Sequence, residues 1–241
     1  MGRHGTIAGR KAAQDKKRGA IFTKVTREII MAAKSGGDPE YNASLKNAIA
    51  KAKAVNLPND KINNAIKKGT GEIEGESYEN STFEGYGPSG IAVIVETLTD
   101  NKNRTSSSVK HHFDKHGGNL GVPGCVSYMF ERKGIILIEK GDSVDEDSLM
   151  ESALDAGAED FIVHDEYYEV QTTTDDFLGV ADALRGSGYE LLEADVELVP
   201  NMEAAPKSDS DLKSLIKMIE VLEEDDDVQK VYTNSSVDLH E

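Results

Sequence analysis

Positive and negative charge are segregated along this chain, and that segregation limits what it can fold into. Residues 1–70 hold 15 Lys+Arg against 5 Asp+Glu, a net of +10, while residues 71–241 hold 12 against 39, a net of −27. The overall charge of −17 conceals the division. Taken alone it would argue against a polyanionic partner, because like charges repel. Read segment by segment, it points instead to a basic module that docks on phosphate and an acidic body held away from it, with a merely solvated basic end as the plainer alternative. At 241 residues the chain exceeds the usual single core of roughly 100–200 residues, so more than one core is expected.

Several classes drop out. A hydrophobic share of 38% beside 29% charged residues is that of a soluble globular protein, and no run approaches the ~20 apolar residues of a membrane helix. The basic N-terminal stretch lacks the apolar segment and small-residue cleavage site of a secretory signal, so a cytoplasmic protein is expected. Cys125, the single cysteine, has no partner for an internal disulfide and cannot hold zinc by itself. It reads as a small packed hydrophobe, not a reactive thiol.

The first 20 residues carry Arg3, Arg10, Lys11, Lys16, Lys17 and Arg18 among glycines and alanines, which describes an arm with little to bury. From Ile21 the spacing of Phe22, Val25, Ile29 and Ala32 predicts an amphipathic helix stopped by Ser35-Gly36-Gly37, with Lys24, Arg27 and Lys34 pointing outward. A second helix runs from an Asn42 cap through Leu45, Ala48, Ile49 and Ala52 to Val55. A third begins near Pro58, turns Ile62, Ala65 and Ile66 inward, and ends at Lys67-Lys68-Gly69. Three such helices make a small helical domain. Residues 70–88 then become acidic and glycine-rich without a persistent period, which places a boundary there.

Beyond the boundary, strand and helix signals alternate. Ile91–Leu98 reads as a strand, Thr105–His116 as a helix, and Val126–Glu131 and Gly134–Glu139 as two further strands. A helix over Asp145–Ala156 precedes strands at Ala158–His164 and Tyr167–Thr172. A helix over Asp175–Arg185, capped by Thr174, precedes a strand at Tyr189–Leu198. From Gly134 to Pro200 the order is therefore β-α-β-β-α-β, the ferredoxin-like pattern. A polar link, Pro200–Ser210, leads to a helix at Leu212–Leu222 and a strand at Val228–Thr233. The expected fold class is α+β: a three-helix N-terminal domain over 1–77, a middle α/β domain over 78–133 plus 201–241, and a third, ferredoxin-like domain over 134–200 inserted into the second. The middle domain's elements come close to a second copy of the ferredoxin-like unit.

With these landmarks placed, the sequence resembles the YebC/PmpR family of transcriptional regulators, which is related to mitochondrial translational activators. The matching segments are RKAAQDKKRGAIFTK, NLPNDKINNAIKKGTGE, FEGYGPSG, TDNKNRT, GGNLG followed by VSYMFERKG, and DDDVQKVYTN. They span essentially the whole chain. The resemblance implies a helical domain joined to two α/β domains around a central cleft, and DNA binding linked to control of transcription. The similarity to translational activators and ribosome-associated factors keeps RNA open as the partner. In place of the Ser-Lys-Trp run that many members carry near the start, this chain has Gly5, Thr6 and Ile7, and it has no tryptophan.

Binding a duplex through its backbone needs several cations that meet phosphates together and release counterions. Arg3, Arg10, Lys11, Lys16, Lys17, Arg18, Lys24 and Arg27 are so placed, with His4 and Gln14 as neutral donors. No helix presents a cluster of Arg, Asn and Gln on one exposed face, so weak or shape-based sequence preference is expected. A second candidate surface is Asn101, Lys102, Asn103 and Arg104 before a helix N-terminus, unless the segment is simply a turn capped by Asn103 or Thr105. Gly117-Gly118-Asn119 reads as a helix stop or cleft lining. Protein partners for the acidic domains fit the same charge pattern.

Enzyme and cofactor signals are weak. His112 and His116 stand at i, i+4, a spacing that presents two imidazoles to one metal, yet no glutamate of the metalloprotease pattern lies between them. The acidic run Glu223–Asp227 reads as a solvated turn sooner than a magnesium site. The glycines at 69, 71 and 75 miss the dinucleotide spacing, and no phosphate-loop signature occurs. A non-enzymatic protein without metal or cofactor is expected.

Overall fold

A computed structural model describes residues 18–141, 144–237 and 239. Contacts divide the chain into two compact units. One holds the described residues up to Glu131 together with those from Pro200 onward, and the other is the continuous segment Arg132–Val199. Among the described residues there are seven α-helices and two four-stranded sheets, an α+β fold.

The first unit opens with three helices, α1 (Arg18–Ala33), α2 (Ala43–Ala54) and α3 (Asn59–Thr70). Their apolar stripes meet in one core built on Val25, Ile29, Ile30, Leu45, Ala52, Leu57 and Ile62. Asn42 stitches two of them together. Its Oδ1 accepts the Leu45 N–H at 3.0 Å, capping α2, while its Nδ2 donates to the carbonyls of Ala32 and Gly36 at the end of α1. Gly69 is required where α3 crosses α1, since a Cβ there would collide with the Ile30 carbonyl and Ala33.

The first sheet comprises β1 (Glu79–Tyr86), β2 (Ala92–Thr99), β3 (Asn119–Leu120) and β8 (Val228–Thr233), in the order β3-β1-β2-β8 and antiparallel throughout. Helices α4 (Lys102–Lys115) and α7 (Asp209–Glu223) supply Val109, Phe113, Leu215, Met218 and Leu222 to a core with Ile91, Val93 and Val95. Strand β1 falls where no strand was expected. Its residues ENSTFEGY are buried only at Glu84 and Gly85, so it lacks the apolar alternation that marks a strand in sequence. Gly85, which reads as a loop signal, is needed there because a Cβ would strike the Asn119 carbonyl and the Phe113 ring.

The second unit contains β4 (Phe130–Glu139), α5 (Glu146–Asp155), β5 (Asp160–Val163), β6 (Tyr167–Thr172), α6 (Phe177–Gly186) and β7 (Leu191–Pro200), its terminal strands reaching just past the unit's limits. The sheet order β5-β6-β4-β7, with the chain order strand-helix-strand-strand-helix-strand, is the ferredoxin-like arrangement. Ile136, Ile138, Leu149, Val170, Phe177 and Leu184 form its core. The two strands expected around Glu131 and Gly134 are one. A 3-10 turn at Ser127–Met129 runs directly into β4, and Gly134 sits inside the strand because a Cβ would meet Thr172 and Phe177. In the first unit the chain order is instead strand-strand-helix-strand-helix-strand, the early β1–β2 pairing being the element hidden in the sequence.

Residues 71–77, all exposed and outside any strand or helix, are the joint between helices and sheet. Limited proteolysis of the native protein should cut first in this stretch. Initial cleavage within Glu79–Tyr86, paired with β2 along its whole length and with β3 at Gly85 and Tyr86, would contradict the placement of β1.

Candidate nucleic-acid interface

Two arginines far apart in sequence meet on one buried carboxylate. Asp227, 4% exposed at the turn between α7 and β8, accepts from Arg27 Nη1 at 3.1 Å on Oδ1. Its Oδ2 takes Arg104 Nη2 at 2.7 Å, Arg104 Nε at 3.2 Å and the Thr105 hydroxyl at 2.8 Å. Burial alone would raise its pKa, but the hydrogen bonds from Arg104 and Thr105 and the two guanidinium charges hold it below the ordinary carboxylate value.

The surrounding contacts extend this join. Arg27 also donates to the carbonyls of Leu98 and Asp226, and its guanidinium lies 5.1 Å from the centre of the Tyr78 ring. Lys24 Nζ donates to the Glu223 carbonyl at 2.8 Å, and the Ser108 hydroxyl donates to Asp225 Oδ2 at 2.7 Å. The run Glu223–Asp227 is therefore a docked turn, not a solvated one. Its carbonyls and two of its carboxylates face donors on α1 and α4.

This geometry corrects the outward placement of two cations. Lys24 and Arg27 tie α1 to the end of α7 and to β2, whereas Lys34 is exposed as expected and donates to the Tyr78 carbonyl. Arg104, half exposed, bridges Asp227 and Asp100. The cap of α4 is Asn101, whose Oδ1 accepts the Arg104 N–H at 3.1 Å, so neither Asn103 nor Thr105 fills that role. Of the second candidate surface, Lys102 and Asn103 are exposed side chains without such a task. Arg3, His4, Arg10, Lys11, Lys16 and Lys17 lie outside the described residues. So does the side chain of Arg18, whose backbone begins α1.

The helices leave outside further cations that the charge pattern alone does not single out. Lys46 and Lys53 on α2, and Lys61, Lys67 and Lys68 on α3, are exposed, whereas Lys51 pairs with Glu28 at 3.3 Å. The signal was present as spacing: 46 and 53, and 61 and 68, lie seven residues apart, off the buried stripes of their helices. Lys67 and Lys68 also sit where a helix C-terminus favours positive charge.

Other groups resolve into structure. The ring of His116 meets the His112 carbonyl through Nδ1 at 2.9 Å, and His112 stands 3.4 Å from the Ser108 hydroxyl, its pKa lowered by burial. Among the described residues no cluster of three His, Cys, Asp or Glu is arranged to hold a metal. Gly117, at φ 79°, ends α4, and Asn119 begins β3. Buried Glu84, which no sequence signal marked, accepts the N–H groups of Gly124, Val126 and Ser127 at 2.8–3.1 Å. Against the upward push of burial, these bonds keep its pKa low. Cys125, partly buried beside that turn, has its thiol pushed up by burial.

Comparison with known proteins accounts for both parts of the chain. The profile of the TACO1/YebC N-terminal domain matches residues 3–72, and that of the TACO1/YebC second and third domain matches residues 78–235. The chain belongs to the YebC family. This YebC-family protein is 56% identical to a probable transcriptional regulatory protein of Clostridioides difficile over 99% of the chain and all of that relative. It is 54% identical to one of Clostridium novyi over 95% and 93% of the two chains. A crystal structure of a conserved hypothetical protein from Aquifex aeolicus superposes with a TM-score of 0.88 at 42% identity, covering 98% of this chain and 97% of the other. No helix among the described residues of the YebC-family chain is long and apolar enough to cross a membrane.

Asp227 and Glu84 both ionise more readily folded than unfolded. Each therefore contributes stability that is complete above the ordinary carboxylate range near pH ~4 and is lost as pH falls through the lower folded value. Removing Asp227 strands a buried guanidinium, so Asp227→Ala should cost about 3 kcal/mol in urea unfolding near neutral pH, and Asp227→Asn should flatten the acid limb of the stability profile. Wild-type stability in both variants would refute the role assigned to this carboxylate.

Proposed function

We propose that this protein is a non-enzymatic transcriptional regulator that holds the backbone of DNA through its basic N-terminal domain. The observation that carries the reading is the charge split, +10 over residues 1–70 against −27 beyond, with Lys46, Lys53, Lys61, Lys67 and Lys68 exposed on two adjoining helices. These lysines act together with Arg3, His4, Arg10, Lys11, Lys16, Lys17 and Arg18. Lys24 and Arg27 shape the domain that presents them, and Lys102 and Asn103 are a minor addition. Phosphate contacts of this kind supply affinity with little sequence preference. The relatives' printed name, probable transcriptional regulatory protein, supports the regulatory role. The acidic remainder of the chain repels nucleic acid and serves protein partners.

RNA, free or in the ribosome, is the second reading. It is favoured by the pairing of cations with aromatic rings in the helical domain, Lys61 over Phe22 and Arg27 over Tyr78, because unpaired bases stack on such rings.

A salt titration tests the proposal. With about six phosphates met, log affinity for duplex DNA should fall against log salt with a slope near −5. Neutralising Lys16, Lys17 and Arg18 together should reduce that slope by about 2.7 and weaken binding to all sequences alike. An unchanged slope would remove these residues from the interface. Ribosome binding with negligible affinity for DNA would move the function to translation.

A further inference from the structure

Between α1 and α3 lies an open pocket of about 410 Å³, with Tyr78 also in its lining, within the ~300–1,000 Å³ range of small-ligand sites. One wall is a single face of α3: Lys61, Asn64 and Lys68, at i, i+3 and i+7, are exposed at its rim. The opposite wall is Phe22 and Thr26 of α1. The Thr26 hydroxyl donates to the Phe22 carbonyl, which leaves its oxygen able to accept. Lys61 Nζ stands 5.7 Å from the centre of the Phe22 ring, and Arg27 covers the Tyr78 ring. Arg27, which also lines the cavity, keeps its Nε buried without a hydrogen-bond partner among the described residues. No carboxylate among the described residues pairs with Lys61 or Lys68.

From this arrangement we infer that the cavity is a binding site for one unpaired nucleotide of a nucleic-acid strand, its base stacked on Phe22 and its flanking phosphates held by Lys61 and Lys68. Aromatic faces take any base by stacking, and the Asn64 amide offers both a donor and acceptors to a base edge. Lys61 occupies the position a base would take over Phe22 and moves to the phosphate when the base enters. A fully paired duplex cannot supply such a base without unstacking it, which costs a few kcal/mol. A site of this kind therefore prefers single strands and bulges over perfect duplex. The inference rests on the nucleic-acid-binding reading above and adds to it the state of the strand.

The test uses the full chain and short oligonucleotides carrying 2-aminopurine: single-stranded RNA, single-stranded DNA, a duplex with one bulged 2-aminopurine, and the fully paired duplex. Tighter binding of the unpaired probes than of the paired duplex, with a change in 2-aminopurine emission, is expected, and either single strand serves because stacking and phosphate contacts are common to both. The Lys61→Gln, Lys68→Gln double variant changes only exposed side chains; it removes two cations of the proposed backbone interface and so weakens every probe, but the loss for unpaired probes should exceed that for the paired duplex by about tenfold. Phe22→Leu, checked for folding by thermal melting, should abolish the emission change. Unpaired probes bound as tightly by both variants as by wild type would overturn the inference while leaving the backbone-binding function standing. Wild-type protein that binds none of the probes would overturn both.

Discussion

The Asp227 carboxylate is the point on which the first unit depends. It brings together a guanidinium from α1, another from α4 and a hydroxyl from the same helix, so three segments separated by most of the chain are fixed by one buried charge. Such a group is stabilising only while its partners stay in place, because a carboxylate left alone in a low-dielectric site is costly. The same Arg27 Nη1 also donates to the backbone carbonyls of Leu98 and Asp226. Thus the helix that carries it is held to the strand end and the turn as well as to the acid.

That commitment decides which cations remain for a partner. Lys24, Arg27 and Arg104 look in sequence like the rest of the basic set, yet each has an intramolecular acceptor. The positive surface that solvent sees among the described residues of the helical domain comes mostly from α2 and α3, with Lys34 beside them. The packed helices beneath those lysines set their spacing. The fold thus gives Lys24, Arg27 and Arg104 structural tasks that Lys61, Lys67 and Lys68 do not carry.

Much of this architecture was legible in the sequence. The three helices, the Asn42 cap and the ferredoxin-like order from Gly134 to Pro200 followed from apolar spacing and capping chemistry, which are local properties. What escaped was non-local. Strand β1 is polar and mostly not buried, and its Gly85 marks a close approach to Asn119 and Phe113, as Gly134 marks one to Phe177, not a break. The acidic run read as solvated because nothing nearby in sequence shows that Arg27 and Arg104 converge on it. Of the candidate site, the charge split located the basic domain, but which cations lie inside it and which outside is set by packing. The cavity beside Phe22 needs residues from α1, α3 and Tyr78 together and has no single sequence signature.

Hydrogen exchange of the full chain, with and without saturating nucleic acid, tests the central claim most directly. Binding through the helical domain predicts slower exchange in peptides covering Ala43–Thr70, with Arg132–Val199 unchanged. Protection confined to Arg132–Val199, with the helices exchanging as in the free protein, would contradict it.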